Sequence, residues 1–540
     1  MNEINKYFEK YPNFFKNRNL RNTNSIKNFI DPSSSYVNNP FDFYQMEKAV
    51  SQIVSYDKKN PIFIHGDCDT DGVSATSVLY NYLKKLDFKI FYYIPNRSIE
   101  GHSISKKSID SAVAMGCKLM ITCDIGMSCI DEIDYANNKG LRTIITDHHK
   151  PLNEYPDSIS IINPWIPENK NLLFKDYSGS AVAFKLCHAI NMKLTLDFKN
   201  IMDLTPIAAL GVISDKVRIE NENRFITFNG FQQIKKNKIK SLTGLSRKLF
   251  PYLTSIDLNR IIRVINMTTK LEDSSLAVKL LNTDISAQIS SFVNIIVKKY
   301  KSNQIEFNDL IHNSLRIAYS QNYKSNNCIF ILSDCNSAYN GAVANTISKR
   351  LNVPAIIISR MTNSIKFKGS ARSISNINLF SFLDEIKDTL ITMGGHPMAA
   401  GFTISENKIK IFEKKLYDYM KNKKIIRNNT LKRTVDEVID FDEINNKFLN
   451  LIENFMPYGT GNPNPIFSTK GVLVIKKPQV VGRSQDTLEF EVEKKGFKMK
   501  CIGIGLIKYF EKLVSKNKLN IDYNIINNND KITLSVIEVY

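Results

Sequence analysis

No run of apolar residues in this 540-residue sequence approaches the length of about eighteen that a membrane-spanning helix needs. The opening segment, MNEINKYFEKYPNFFK, alternates polar and aromatic positions. It has neither the apolar centre of a secretory signal nor the serine and arginine bias of a transit peptide, so a cytoplasmic protein with no membrane association is expected. None of the eight cysteines, at 68, 117, 123, 129, 187, 328, 335 and 501, forms a CxxC pair. They lie in or beside apolar runs, which predicts free buried thiols in a reducing compartment instead of disulfides or structural zinc. No glycine-rich loop ends in Gly-Lys-Ser/Thr, which argues against chemistry driven by a nucleoside triphosphate. No internal repeat or long low-complexity tract points to a solenoid.

A chain of 61.7 kDa exceeds one compact core, so about two to four domains are expected. The net charge is +20. Charge of that sign fits a polyanionic partner, but biased codon usage would supply many of the same lysines, so a localised site has to carry the reading.

The runs PIFIHG (61–66), KIFYYIP (89–95), KLMITC (118–123), RTIIT (142–146) and SISIINP (158–164) alternate with helix-like segments such as GVSATSVLYNYLKKL. Continuous apolar strands in that rhythm predict a mostly parallel α/β sheet covered on both faces. The expected organisation is a preamble over 1–48, a parallel-sheet domain over 49–245 and a helical connector over 246–310. A second α/β domain over 311–425 and an OB-like β-barrel over 426–540 follow. The pattern places a connector helix over 272–302 and a polar joint around 424–431. The barrel strands are read in FSTKGVLVIKKPQVVG, TLEFEVEKK, KMKCIGIGLI and KITLSVIEVY.

The chemistry concentrates at strand ends. IFIHG runs into Asp67, Asp69 and Asp71; KLMITC into Asp124; RTIIT into Asp147, His148 and His149; a further apolar run, DLTPIAALGVISD, delivers Asp215. One aspartate after a strand is ordinarily a turn or a helix cap, and a lone DHH is as readily a solvated loop. In a parallel sheet, however, strand C-termini share one edge, so these groups converge, and crowded carboxylates need a cation. Imidazole beside carboxylate favours Mn²⁺ or Mg²⁺ sites suited to phosphoryl hydrolysis with two ions. The spacing predicts His65, Asp69 and Asp124 around one ion, and Asp71, Asp124, His148 and Asp215 around a second, with Asp124 bridging. Shared strand parity of His65, Asp67 and Asp69 would let His65 lean toward Asp69. Asp67 and His149 complete the expected catalytic set, orienting a ligand or a phosphate.

The ordered set HGDCDTDGVSAT (65–76), YIPNR with EGH (93–102), CDIGMS (123–128), TDHH (146–149), INPW (162–165) and AALGVISD (208–215) resembles the RecJ family of the DHH phosphoesterase superfamily. KGSARSI (368–374) and GGHPMAAGF (394–402) are similar to the family's second domain, DHHA1, and PYGTGNPNPIF (457–467) to the lead into its OB fold. The resemblance implies a single-strand-specific 5′ to 3′ DNA exonuclease of DNA repair and recombination, with Asp69, Asp71, Asp124, His148 and Asp215 as its surest metal positions. It also implies a monomer with single-stranded DNA as its partner, and a helicase and a single-strand-binding protein as further ones. Two other functions stay open: a phosphodiesterase for short oligonucleotides or cyclic dinucleotides, and an inactive strand-binding scaffold.

Phosphate contacts are expected from Arg97 and from Ser370 and Arg372, which alternate along one strand as hydroxyl and guanidinium. Lys368 would add charge. His396, in a small-residue segment read as a phosphate-binding nest, would stand near the scissile bond. The family's Arg-x-Asn-Ala-x-Gly-Arg segment reads IRVINMTTK here, keeping Arg263 and Asn266 but ending in Lys270, which holds the charge without the planar fork. SAYNG (337–341) lacks the family's histidine, and His102 stands where tyrosine is common.

Overall fold

The computed structural model describes the whole chain except residues 1, 98, 251–256, 322, 362–363, 375–376, 422, 424–433, 483–486, 516–517 and 529–530. The polar joint expected around 424–431 therefore lies outside the described residues.

The first sheet is wholly parallel, in the order β2-β1-β3-β4-β5, with β1 Ile62–Gly66, β2 Ile90–Tyr93, β3 Leu119–Cys123, β4 Arg142–Thr146 and β5 Ser160–Ile162. β1 and β3 are buried along their whole length, as sheets covered on both faces require. Helices Thr70–Lys85, Gly179–Lys193 and Thr205–Asp215 build the larger apolar core on one face. Helices Lys106–Ala114 and Ile130–Asn138 close the other, around Phe63, Ile109, Met120 and Ile133. The apolar run that ends in Asp215 is thus a helix. Its nearly unbroken burial, from Thr205 to Ile213, is that of a helix packed on every side.

The connector is a 35-residue helix, Ser286–Ser320, and not the expected 272–302. Leu276–Leu281 is a separate short helix, and Thr283 breaks the chain between them, its hydroxyl accepting from Ile285 N at 3.2 Å. The long helix packs Ile289, Val293 and Ile296 on the first core, and Ile311 and Ala318 on the second domain. One rigid element therefore touches both domains.

The second sheet is mixed, in the order β6-β7-β8-β10-β9: β6 Ile329–Ser333, β7 Ala355–Arg360, β8 Lys366–Arg372, β9 Thr392–His396 and β10 Ala399–Ser405. β6 and β7 are parallel, and the others pair antiparallel. The last region is a closed five-stranded barrel made by β12 Phe467–Val481, β13 Thr487–Lys494, β14 Phe497–Ile504, β15 Leu519–Asn528 and β16 Lys531–Val539. β12 pairs with both β13 and β15 to close it, and the short β11, Glu437–Val438, adds to its edge.

The expected preamble is divided: Tyr11 to Phe29 pack with this barrel region, whereas Phe43 and Met46 join the core of the first domain. Phe14 packs on Phe455 at 4.7 Å between ring centres, and buried Arg18 pairs with Asp436 at 2.8 Å while stacking on Phe14. The barrel is fastened to the first domain by Arg224, which is fully buried. Its guanidinium donates to the carbonyl oxygens of Phe29, Asn454, Phe455 and Met456 at 2.8–3.1 Å.

Candidate metal centre

Two aspartates shape the site by capping helices. Asp69 is the cap of the Thr70 helix, its Oδ1 accepting from the backbone N–H of Asp71 and Gly72 at 2.8 and 3.1 Å. Gly72 is required there, because a Cβ would lie 2.4 Å from the Asp67 carbonyl oxygen. Asp71, inside that helix, turns its carboxylate onto a second helix start, accepting from Gly179 N at 2.6 Å and Ser180 N at 2.9 Å. Asp124 leaves β3 with a left-handed backbone, φ +65°, which is uncommon for an aspartate and typical of residues aimed for function.

Asp147, in the TDHH motif, is a site residue outside the expected metal and catalytic sets. Its Oδ1 accepts from the backbone N–H of His148 and His149 and lies 2.8 Å from His149 Nδ1, while its Oδ2 accepts from Met127 N. One buried carboxylate thereby sets the placement of both histidines. Gly179 and Gly211 were missed as well. A Cβ on Gly179 would lie 2.4 Å from Asp124 Cβ, and one on Gly211 would lie 2.2 Å from Asp71 Oδ1. The glycine in the SGSA helix start was the available signal.

The strand ends converge. Asp67, Asp69 and Asp124 offer oxygens within 4.8 Å of one another; the carboxylate oxygens and ring nitrogens of Asp71, His148 and Asp215, and of Asp124, His148 and His149, lie equally close. His148 Nε2 is 3.0 Å from Asp124 Oδ1, and its Nδ1 is 3.6 Å from Asp215 Oδ2. His65 is not in either expected group. Its Nε2 lies 3.1 Å from Ser108 Oγ, and its ring packs near Tyr93. The parity expectation fails because β1 ends at Gly66. Beyond it the chain turns into the helix cap, and Asp67 swings in where His65 was expected.

Crowding leaves its mark on the carboxyls. Burial, then the charges of Asp71 and Asp69, hold Asp124 well above the ordinary carboxyl range. Burial and Asp71 push Asp215 up to about 7, and burial with Asp71 and Asp67 raises Asp69. Burial acts upward on Asp67 and Asp147 most strongly of all, but the histidine beside each, His102 3.0 Å from Asp67 and His149 on Asp147, together with backbone N–H donors leaves both lowered. Burial takes His65 down to about 4 against the charges of Asp67 and Glu100.

These residues fit divalent cations. Asp124 Oδ1 and His148 Nε2 are buried and have no hydrogen-bond partner, although they face each other. Unsatisfied acceptors among crowded oxygens are what a cation resolves. Oxygen-rich donors with imidazole suit Mn²⁺ or Mg²⁺.

The remaining candidates divide between two places. Arg97 is tied by its backbone N–H to Thr269 O at 3.1 Å. Desolvation, then the like charge of Arg97, holds the Lys270 ammonium below its ordinary range. Asn266 is a positioning residue, its Oδ1 accepting from Thr70 N at 2.9 Å, and Arg263 is exposed, donating from Nε to Asn259 O on its own helix. In the second sheet, Arg372 Nη1 donates to Ser370 Oγ at 3.2 Å, as their alternation predicts. Lys368 precedes them with the same parity, and its carbonyl accepts from Asn340 Nδ2. GGHPMAAGF is a β-hairpin and not a nest. Ala399 stands in register with both Arg372 and His396, and Gly401 with both Ser370 and Gly394. The small residues leave an open face between His396 and Arg372. Gly341, in SAYNG, approaches this pair closely, with a Cβ there 3.0 Å from Arg372 Nη2.

A parallel sheet that gathers aspartates and histidines at one edge, joined by a long helix to a mixed second domain, is the architecture of a DHH-type protein. The model of the DHH family N-terminal domain matches residues 61–212, that of the DHHA1 domain 326–422, and that of the RecJ OB domain 435–536. The single-stranded-DNA-specific exonuclease RecJ of Bacillus subtilis is 28% identical over 511 residues, covering 93% of this chain and 64% of its own. The Haemophilus influenzae protein of the same name is 26% identical over 519 residues, covering 89% of this chain and 86% of its own. The crystal structure of RecJ in complex with Mn²⁺ from Thermus thermophilus superposes with a TM-score of 0.76 at 21% identity, over 98% of this chain and 75% of that one, which speaks to the fold. The chain therefore carries a DHH family N-terminal domain, a DHHA1 domain and a RecJ OB domain in that order, and is similar over most of its length to proteins named RecJ.

Proposed function

We propose that this protein is a metal-dependent exonuclease that hydrolyses single-stranded DNA from the 5′ end, using two Mn²⁺ or Mg²⁺ ions. The carrying observation is the convergence of Asp67, Asp69, Asp71, Asp124, His148 and Asp215, with buried acceptor atoms left unpaired among them. The relatives, named as single-stranded-DNA-specific exonucleases, give the substrate. The family resemblance gives the polarity and extends the reading to a cytoplasmic monomer in DNA repair and recombination, beside a helicase and a single-strand-binding protein.

In this reading Asp67, Asp69 and Asp124 hold one cation, and Asp71, Asp124, His148 and Asp215 the other. Bound divalent cations activate water and neutralise charge developing at phosphorus. Asp147 fixes the direction of both histidines. His149 is the more exposed of the two, its proton held by Asp147, and it offers that side of the site a donor for a phosphate oxygen. Arg97 and Lys270, with Lys368, Ser370, Arg372 and His396 of the second domain, bind backbone or terminal phosphates. Arg263 adds charge, and Asn266 keeps the acidic loop in place.

The test is a long single strand carrying separable labels at its two ends, incubated with Mn²⁺ beside duplex DNA and an Asp71→Ala protein. Early release of the 5′ label, slow attack on duplex and an inert variant are expected. Cleavage confined to oligomers of a few nucleotides or cyclic dinucleotides would install the small-substrate phosphodiesterase instead. Tight binding without cleavage in either metal would leave a scaffold.

A further inference from the structure

Trp165 is the only tryptophan in the chain. It lies at the C-terminal end of β5, the sheet edge from which His148 and His149 also emerge. β4 and β5 run in register from Ile144↔Ser160 to Thr146↔Ile162, and Asp147 N continues that pairing by donating to Ile162 O. Asn163 then ties the two loops together. Its Nδ2 donates to the His149 carbonyl at 2.8 Å, and its Oδ1 accepts from Trp165 N at 2.8 Å. Asn169 fixes Asn163 in turn, donating to its carbonyl at 2.7 Å. The next residue, Ile166, is buried with Met127, Ile145 and Ile161, so the turn is anchored on both sides of the indole.

Against that anchored background Trp165 is 37% exposed. An aromatic side chain this large, left open on a braced turn, has apolar surface to offer and no packing role that needs it there. Lys150, directly after the two histidines, holds its ammonium 5.9 Å from the ring centre. Aromatic face and cation together are the pair that binds single-stranded nucleic acid, the ring taking a base and the ammonium the adjoining phosphate. Every base has a π-face, so such contact tolerates any sequence, as an exonuclease requires.

We propose that Trp165, with Lys150 beside it, is a stacking platform for a base of the single strand held next to His149. This rests on the single-strand reading above and adds a residue to it. The platform positions substrate and takes no part in bond breaking. Truncation raises KM while kcat on saturating DNA stays close to that of the parent protein.

The single tryptophan makes a direct test available. Full-length protein in EDTA is titrated with a 3′-labelled oligothymidylate while indole emission and label anisotropy are followed together. Emission should be quenched along the same curve as the anisotropy rises. Trp165→Ala should weaken binding about tenfold, and Trp165→Phe should restore most of that loss. Binding by anisotropy with unchanged emission, or an alanine variant that binds as the parent does, would overturn the platform and leave the single-strand reading intact. Absence of binding by both signals, in EDTA and again in Mn²⁺ with the Asp71→Ala protein, would overturn the single-strand reading, and the platform with it.

Discussion

Removing divalent cations should destabilise the protein by an amount that grows with pH. In the metal-free fold Asp215 titrates near 7, against an ordinary value of 3.8, and Asp124 is shifted in the same direction. Between those values the folded chain holds a proton on Asp215 that the unfolded chain has released, so this contribution to stability falls as pH rises from about 4 to about 7. A shift of three units corresponds to about 4 kcal/mol at most, before solvent screening at the open side of the carboxyl. His65 and His188 act oppositely: both are lowered to about 4 by burial, so their contribution is lost as pH falls below about 6.5. They are present with and without metal, so the difference between the two conditions isolates the acidic cluster. Cations displace the protons on Asp124 and Asp215, and their apparent affinity therefore rises with pH. At a hundredfold excess over Kd the gain is about 2.7 kcal/mol, or about 5–10 °C for a domain of this class of size. The assay is thermal unfolding in EDTA and in Mn²⁺, from about pH 5.5 to about pH 8. A Mn²⁺-dependent shift that is flat across that window, or largest at its acid end, would refute the reasoning.

Four substitutions probe the supports of the site and of the barrel, one of them as a control. Asp147→Ala should lower Mn²⁺ affinity about 10–100-fold through both histidines, read by calorimetric titration. Gly179→Ala forces a methyl against Asp124 and should cost roughly 1–3 kcal/mol in denaturant unfolding, with weaker Mn²⁺ binding. Gly244→Ala, inside the helix Lys240–Leu249 with the nearest atom 3.4 Å away, should leave Mn²⁺ binding unchanged and raise stability by about 0.5–1 kcal/mol. Arg224→Met should cost roughly 2–4 kcal/mol by leaving carbonyl oxygens unpaired, and limited proteolysis should then release the barrel from the first domain.

The parallel sheet was legible because its strands are buried on both faces, so each reads as an unbroken apolar run between helical segments. The site was legible because strand ends share an edge, whatever their separation in sequence. What stayed hidden depended on partners far along the chain. Phe14 and Arg18 find theirs at Phe455 and Asp436, and no local pattern announces that the first helices fill the barrel core. β15 was missed because LNIDYNIINN reads as polar, its asparagines masking the inward alternation of Leu519, Ile521 and Tyr523. His65 was misassigned because strand parity was carried past Gly66, where the backbone already turns. Asp147 and Gly179 act through hydrogen bonds and close approach, which residue type alone does not reveal.

Anomalous scattering from crystals grown with Mn²⁺ tests the central claim most directly. Two peaks are predicted, one among Asp67, Asp69 and Asp124 and one among Asp71, Asp124, His148 and Asp215, with Asp124 touching both. A single peak, a peak on His65, or none at these residues would contradict a two-cation centre built from the converging strand ends.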